Sequence, residues 1–175
     1  MNLKAESGVT LIELLTAITI VALLMGIGVP SYRAVTNSNR VAAEINGLLG
    51  DLQLARGEAI KQGLPVSVCP STDSATCAGT STWGGGWIVI VDPAGDLTGT
   101  VVLRIQKAIV NGDTLTNSTG ATGVTFNREG FSTGFPASTT FTLHDSQANQ
   151  TRTRCLTMNL VGMMTSSMYD GNACQ

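Results

Sequence analysis

Few residues of this chain combine a reactive type with a spacing that chemistry requires. His144, Asp145 and Ser146 include the three residue types of a hydrolase triad, but adjacent residues cannot adopt triad geometry, and His144 is the only histidine. Asp92 and Asp96 flank a turn without the spacing of an EF-hand. The sequence also has no P-loop and no dinucleotide fingerprint. It therefore predicts a protein that is not an enzyme and that needs no cofactor.

The four cysteines are the next candidates for chemistry. The spacing of these residues, Cys69, Cys77, Cys155 and Cys174, includes no CxxC motif, and no histidine cluster lies beside them. We therefore expect no metal site. An even set of cysteines fits two disulfides formed in an oxidising compartment. Three connectivities are open, and we favour the two local pairs, Cys69–Cys77 and Cys155–Cys174.

Two tryptophans flank three glycines at Trp83–Trp87 and pose a choice between a binding platform and a structural turn. Paired indoles could stack on a sugar or a base. Tryptophan is more often buried, and glycine runs usually form turns. We expect a tight turn that leads into a buried strand.

Composition and charge bound the class of protein. The 175 residues have room for one domain and an appendage, and only 13% of them are charged. The formal net charge of -2 argues against a polyanion as the default partner. The mean hydropathy of +0.22 is high, and much of the apolar excess lies in the opening stretch.

That opening stretch, Val9–Val29, carries Glu13 as its only charge. As a helix it would span about 31 Å, which matches the hydrocarbon thickness of a bilayer. It is too long for the apolar region of a secretory signal peptide, and no A-x-A-like site follows it. A plain signal anchor would leave Glu13 unexplained, since a carboxylate within the membrane costs about 3 kcal/mol. A cut between Gly8 and Val9 would create an α-amino group four residues before Glu13, which could pair with it.

The stretch "GVTLIE" at Gly8–Glu13 resembles the prepilin cleavage motif of type IV pilins and type II secretion pseudopilins. The resemblance implies that prepilin peptidase removes a leader, residues 1–8, by cutting between Gly8 and Val9. It also implies that Val9, where the family usually has Phe, becomes methylated and that Glu13 aids docking into the growing filament. Pro30 stands where many members kink their helix.

After the apolar segment, residues 30–62 have apolar positions at helical spacing, and Gly63 and Pro65 should end this amphipathic helix. Residues 63–175 change to short apolar runs separated by Gly, Ser, Thr and Asn, and we expect them to form a β-rich globular domain. Ser71–Gly85 and Asn111–Gly123 read as exposed loops. Six strands are predicted: Pro65–Cys69, Gly86–Val91, Thr100–Lys107, Val124–Asn127, Thr139–Leu143 and Arg154–Asn159.

"VSVCPSTDSATC" followed by "WGGGWIVIVD", and the later "VTFNREGFSTGFPASTTFTL", are similar to the GspH/FimT family of minor pilins, which includes FimU-like subunits. The resemblance implies an α+β, pilin-like fold in which a long N-terminal helix packs on an antiparallel sheet. It implies a minor pilin of the type IV pilus that helps to prime assembly and to form the tip complex. The expected partners are other minor pilins, the major pilin, prepilin peptidase, the inner-membrane assembly platform and inner-membrane lipid. The chain would cross the bacterial inner membrane once, with its domain in the periplasm, and then join the pilus.

Two alternatives remain from the same family. One is a type II secretion pseudopilin of the GspH type, which the sequence barely separates from a pilin. The other is a DNA-binding minor pilin that serves DNA uptake. Relatives of that kind carry a "G-R-x-R"-like motif, whereas Gly162 is followed here by Met163, Met164 and Thr165. Arg128, Arg152 and Arg154 are the candidate phosphate contacts, and three arginines on an acidic protein predict weak binding.

Overall fold

The computed structural model describes residues 8–171 and Cys174, and one long helix dominates its first third. This helix, α1, spans Leu11–Gln62, and the chain divides into two compact units between Ser38 and Asn39. The helix ends as the sequence predicts. The N–H of Gly63 donates to the carbonyl of Ala59 at 3.0 Å, and Gly63 has a φ of +67°, which glycine adopts without strain.

The second unit, Asn39–Gln175, holds the core of the described chain. The helix contributes a stripe of buried apolar residues spaced by three and four positions, which is the pattern of a helix with one face on a core. These are Val41, Ile45, Leu48, Leu52, Ala55 and Ala59. Ile60, which also follows the helical period, is instead 53% exposed.

Among the described residues of this unit, nine short strands form two antiparallel sheets. The first sheet has five strands in the order β3-β2-β1-β5-β6, and the second has four in the order β4-β7-β8-β9. The strands are β1 (Val66–Pro70), β2 (Trp87–Val91), β3 (Val101–Gln106), β4 (Thr114–Asn117), β5 (Val124–Phe126), β6 (Ser132–Thr133), β7 (Ser138–His144), β8 (Arg154–Asn159) and β9 (Met164–Met168). The α+β fold with a long N-terminal helix on antiparallel sheets is confirmed.

Three of these strands were not predicted, and two predicted loops are partly wrong. Strand β4 lies within the expected loop Asn111–Gly123, because buried Leu115 anchors a polar run that pairs with β7. Strands β6 and β9 form by pairing with β5 and β8, although their own sequences have little apolar pattern. The other expected loop, Ser71–Gly85, contains the fully buried Trp83.

Both tryptophans lie in the core, which was expected of Trp87, in the buried strand, and not of Trp83, in the predicted loop. Trp83 packs edge-to-face on Phe141 with ring centroids 4.8 Å apart, and its indole N–H donates to the carbonyl of Ala121 at 3.0 Å. Trp87 is 1% exposed. A stacking platform for a sugar or a base is thereby excluded at this position, since neither indole face reaches solvent.

Candidate assembly site

The N-terminal segment places Glu13 in the first turn of α1. Thr10 precedes the helix, and its hydroxyl accepts a hydrogen bond from the N–H of Glu13 at 3.3 Å. The carbonyl of Thr10 accepts the N–H of Leu14 at 3.2 Å. The pattern Thr10-x-x-Glu13 is that of a capping box, and a carboxylate in the first turn also interacts favourably with the helix dipole. Sequence reasoning overlooked this local role, although the T-x-x-E spacing is its signal.

The side chains around Glu13 are apolar and exposed. Leu11 is 76% exposed and Ile12 is 66% exposed, and the whole stretch from Val9 to Val29 remains uncovered. Within residues 8–171, no basic side chain forms an ion pair with the Glu13 carboxylate. Of the described helices, α1 is the one long and apolar enough to cross a membrane. Its exposed apolar length needs either lipid or other helices to cover it.

The predicted cut lies directly before this helix. Gly8 and Val9 are exposed and precede the first helical residue. Most of the predicted leader, Met1–Ser7, lies outside the described residues. Pro30 lies inside α1.

Within the second unit, three polar side chains of the helix bond to residues of the β-rich part of the chain, 63–175. Nη2 of Arg40 donates to both carboxylate oxygens of Asp113, each at 2.8 Å. Asp51, which is 2% exposed, accepts the indole N–H of Trp87 at 2.9 Å and pairs with Arg104 at 2.9 Å.

The third anchor is Arg56, which donates to two loop carbonyls, Gly130 at 3.0 Å and Val161 at 3.2 Å. Helical spacing held a signal for Asp51, because it lies three residues after Leu48 and four before Ala55, within the buried stripe. No local signal identified the partners, which lie 36 to 105 positions away.

The carboxyl group of Glu44, next to Arg40 and Asp113, has a pKa shifted from its ordinary value. Burial, and next the neighbouring Asp113 carboxylate, raise the pKa of Glu44, while Arg40 opposes the rise. One oxygen of Glu44 is buried without a hydrogen-bond partner among the described residues. Ionisation of Glu44 is therefore disfavoured where the helix meets Asp113, the residue directly before β4.

Both disulfides join the pairs that the sequence analysis favoured. Cys69 bonds to Cys77, and Cys155 bonds to Cys174, each with Cα atoms 5.5 Å apart. In the loop closed by the Cys69–Cys77 disulfide, hydrogen bonds from the backbone N–H groups of Thr76 and Ala75 hold the pKa of Asp73 well below its usual range, and the hydroxyls of Thr76 and Ser71 add to this effect. No group of three or more His, Cys, Asp or Glu residues in the described chain could hold a metal.

The three candidate DNA-contacting arginines have intramolecular uses. Arg152 is 14% exposed and pairs with the buried Asp145 at 2.7 Å. Arg128 pairs with the adjacent Glu129 at 2.8 Å. Arg154 is half-buried and donates to the carbonyl of Thr153 at 3.4 Å. The geometry therefore offers phosphate little free positive charge at these positions.

Comparisons with known proteins agree with this architecture. The family model "Type II transport protein GspH" matches residues 44–162, and the model "Prokaryotic N-terminal methylation motif" matches residues 3–29. No curated protein sequence matches the chain.

Two solved structures have a similar fold. The type IV minor pilin FimU of Pseudomonas aeruginosa aligns with a TM-score of 0.59 and 21% identity, over 82% of this chain and 99% of that one. The minor pseudopilin EpsH from the type 2 secretion system of Vibrio cholerae aligns with a TM-score of 0.54 and 15% identity, over 74% of this chain and 97% of that one. Because the GspH model covers more than half of the sequence, the chain belongs to the GspH family of minor pilins and pseudopilins.

Proposed function

We propose that this chain is a minor pilin of the type IV pilus, which primes filament assembly and joins the tip complex. The observation that carries the proposal is Glu13, a carboxylate in the first turn of an exposed apolar helix that begins within a prepilin-type cleavage motif. We propose the divisions 1–8 for the leader, 9–29 for the membrane and filament-core segment, 30–62 for the amphipathic helix and 63–175 for the β-domain. Pro30 is the proposed kink between the two parts of the helix.

The proposed mechanism is mechanical. Prepilin peptidase cuts between Gly8 and Val9, the new amino group is methylated, and the chain waits in the inner membrane with its β-domain in the periplasm. The amino group of one subunit and Glu13 of another then pair, which offsets the cost of each charge in an apolar medium. Exposed apolar helices bundle in the filament core with those of other minor pilins and the major pilin on the assembly platform.

The capping geometry suggests a variant that separates charge from helix capping. Glutamine serves in a capping box as glutamate does, so Glu13→Gln removes the charge and keeps the cap. We expect this variant to insert into the membrane normally and to be lost from sheared surface filaments, as measured by immunoblot of both fractions. The control is Thr10→Ala, which removes the cap and keeps the charge, and which should still assemble. Incorporation of Glu13→Gln at the level of the unchanged protein would refute the proposed role.

The N-terminus of the mature chain gives a second test. Mass spectrometry of protein from bacterial membranes should find a chain that begins at Val9 and carries a methyl group. A mature chain that retains Met1–Gly8 would overturn the proposal.

A second candidate function is that of a pseudopilin in type II secretion. The matching family model carries that system's name, and the fold is also similar to the pseudopilin EpsH. Deletion of the gene separates the two functions, because loss of pili and twitching indicates a pilus and loss of an exported enzyme indicates secretion. Nucleic acid is left out of the proposed partners because Arg152 and Arg128 are paired with acids.

A further inference from the structure

The loop that joins β2 to β3, residues 92–100, begins with a buried acid that has no positive partner. Asp92 is 0% exposed, and none of the ion pairs formed within residues 8–171 includes it. Buried charges in proteins are paired with an opposite charge or coordinate a metal, because an isolated charge in an apolar medium is costly. The Asp92 carboxylate therefore needs a partner beyond the ion pairs of the described chain.

Hydrogen bonds occupy only one oxygen of this carboxylate. The hydroxyl of Ser67 donates to Oδ2 of Asp92 at 2.6 Å and lies 2.7 Å from the hydroxyl of Thr125. The N–H of Leu97 donates to the same Oδ2 at 2.9 Å. The other oxygen, Oδ1, is buried and has no hydrogen-bond partner among the described residues. Oδ1 is therefore an acceptor in the protein interior that is left for a ligand.

A second carboxyl group lies beside the first. The hydroxyl and the N–H of Thr98 donate to Oδ1 of Asp96 at 2.6 and 3.1 Å and lower the pKa of Asp96, and the side chain of Asp92 interacts with the same carboxyl group. The two acids lack EF-hand spacing, and a turn brings them together, in which the N–H of Gly95 donates to the carbonyl of Asp92 at 2.9 Å. Two neighbouring carboxylates repel each other, and a cation between them removes that repulsion.

The two ends of the loop are pressed together, which forms this arrangement before any ligand binds. A Cβ at Gly99 would lie 2.9 Å from Cα of Asp92, so only glycine fits there without a shift. Beside this contact lies a recess of about 290 Å³, lined by Asp92, Thr98 and Thr100 among others. Its lining offers carbonyl and hydroxyl oxygens, and its volume has room for an ion and water molecules.

The donor atoms identify the class of cation. Carboxylate, carbonyl and hydroxyl groups are hard oxygen donors, which suit Ca²⁺ and Mg²⁺ and not the metals that prefer sulfur or imidazole. Ca²⁺ accepts about six to eight oxygens in irregular geometry, whereas Mg²⁺ requires a near-ideal octahedron and gives up its waters reluctantly. Two carboxylates in an irregular loop fit Ca²⁺ better. With only two charged ligands, the dissociation constant should be on the order of 1 mM.

We propose that the β2–β3 loop forms a structural Ca²⁺ site in which Oδ1 of Asp92 and the carboxylate of Asp96 are the charged ligands. Carbonyl, hydroxyl and water oxygens of the recess complete the coordination. The ion neutralises the buried charge and fastens the loop to Ser67 of β1 and Thr125 of β5, which share hydrogen bonds with Asp92. The site is independent of the proposed function, because a pilin and a pseudopilin could each carry it.

Equilibrium dialysis of the full chain in a non-ionic detergent against radioactive Ca²⁺ tests the site directly. We expect one bound ion per chain, and at least about tenfold weaker binding by Asp96→Asn, which changes an exposed side chain. Asp73→Asn is the matched control and should bind as the unchanged protein does, since Asp73 is also an exposed loop acid bonded to a threonine hydroxyl. The proposal is overturned by no bound ion at about 10 mM Ca²⁺, by equal binding to Asp96→Asn, or by an equal loss in Asp73→Asn.

Thermal unfolding of the full chain in the same detergent tests whether the ion supports the fold. About 10 mM CaCl₂ should raise the ratio of folded to unfolded protein about tenfold over that in chelator, which is a shift of roughly 3 to 5 °C. Asp92→Asn keeps one oxygen for Ser67 and Leu97 and should lose this shift. Retention of the shift in Asp92→Asn, or an equal shift with MgCl₂, overturns the proposal. If Asp92→Asn does not fold, the same comparison with Asp96→Asn decides.

Discussion

The buried contact between Asp51 and Trp87 allows a stability prediction that depends on the helix being fastened by polar anchors. Replacing Asp51 with alanine removes the acceptor of the Trp87 indole N–H and the partner of Arg104. Trp87 is 1% exposed, so its N–H would be left without a hydrogen bond in the core. The helix would keep its apolar stripe, and the fold should survive with reduced stability.

The magnitude follows from the two losses. A buried donor without an acceptor costs about 1 to 3 kcal/mol. Arg104 is 60% exposed, so its pairing with Asp51 adds at most about 1 kcal/mol. Removing a buried charge also relieves some desolvation, which opposes these losses. We therefore expect a net loss of about 2.5 kcal/mol, or on the order of 9 °C in melting temperature for a unit of this size.

The assay is denaturant unfolding of the oxidised fragment Asn39–Gln175, followed by circular dichroism. This fragment contains every buried core residue of the described chain. A double-mutant cycle with Trp87→Phe, which keeps an aromatic ring and removes the N–H, isolates the hydrogen bond. In that background Asp51→Ala should cost about 1 to 2 kcal/mol less. Glu58→Ala is the matched control, because this exposed helix carboxylate pairs with Lys61, and it should change stability by less than about 0.5 kcal/mol.

Two results would refute the reasoning. One is a cost for Asp51→Ala no larger than that of the Glu58 control. The other is a coupling energy with Trp87→Phe below about 0.5 kcal/mol, which would mean that the carboxylate acts on the core by some route other than this hydrogen bond.

Three further predictions concern the same domain. Because burial raises the pKa of Glu44 above its ordinary 4.5, the folded chain binds that proton more tightly than the unfolded chain, and stability is lost as the pH rises through the raised value. Glu44→Gln should therefore raise the melting temperature at pH 7 and leave it unchanged near pH 3; a lower melting temperature at pH 7 would contradict this. Replacing Cys155 and Cys174 with serine should lower the free energy of unfolding, measured in urea, by about 3 kcal/mol. The double variant should no longer lose the stability that the unchanged protein loses when reductant breaks this bond. Gly162→Ala should destabilise by about 1 to 3 kcal/mol, whereas Gly50→Ala, in an open helical position, should stabilise by about 0.5 to 1 kcal/mol; equal effects would argue against the close approach of Gly130 and Gly162.

Local signals predicted much of the fold. The helix ends at Gln62 because Gly63 and Pro65 follow it, and these are properties of a few adjacent residues. All six predicted strands exist, and every bound lies within one residue of its predicted position, since apolar runs between turn residues favour strands. Strand β9 escaped prediction because Met164–Met168 is largely exposed and is a strand only through its pairing with β8.

The contacts of polar side chains were harder to predict from the sequence than the helix and the strands. The sequence analysis assigned no contact to Arg40, Asp51 or Arg56, whose partners lie far along the chain. Arg152 looked like a candidate phosphate contact, and the fold pairs it with Asp145. Whether a charge is free or paired depends on which strands and loops the tertiary fold brings beside it, and no short window of sequence holds that information.

The sequence by itself determined the prepilin-type motif, the membrane-length apolar segment around Glu13 and the long helix, while it left three disulfide connectivities open. Each of these depends on residue type and spacing within a short stretch. Only the tertiary structure decided that the helix is held by three polar anchors and that Arg152 is paired with Asp145. The physical reason is that burial and pairing are properties of the assembled elements, which bring together residues up to 105 positions apart.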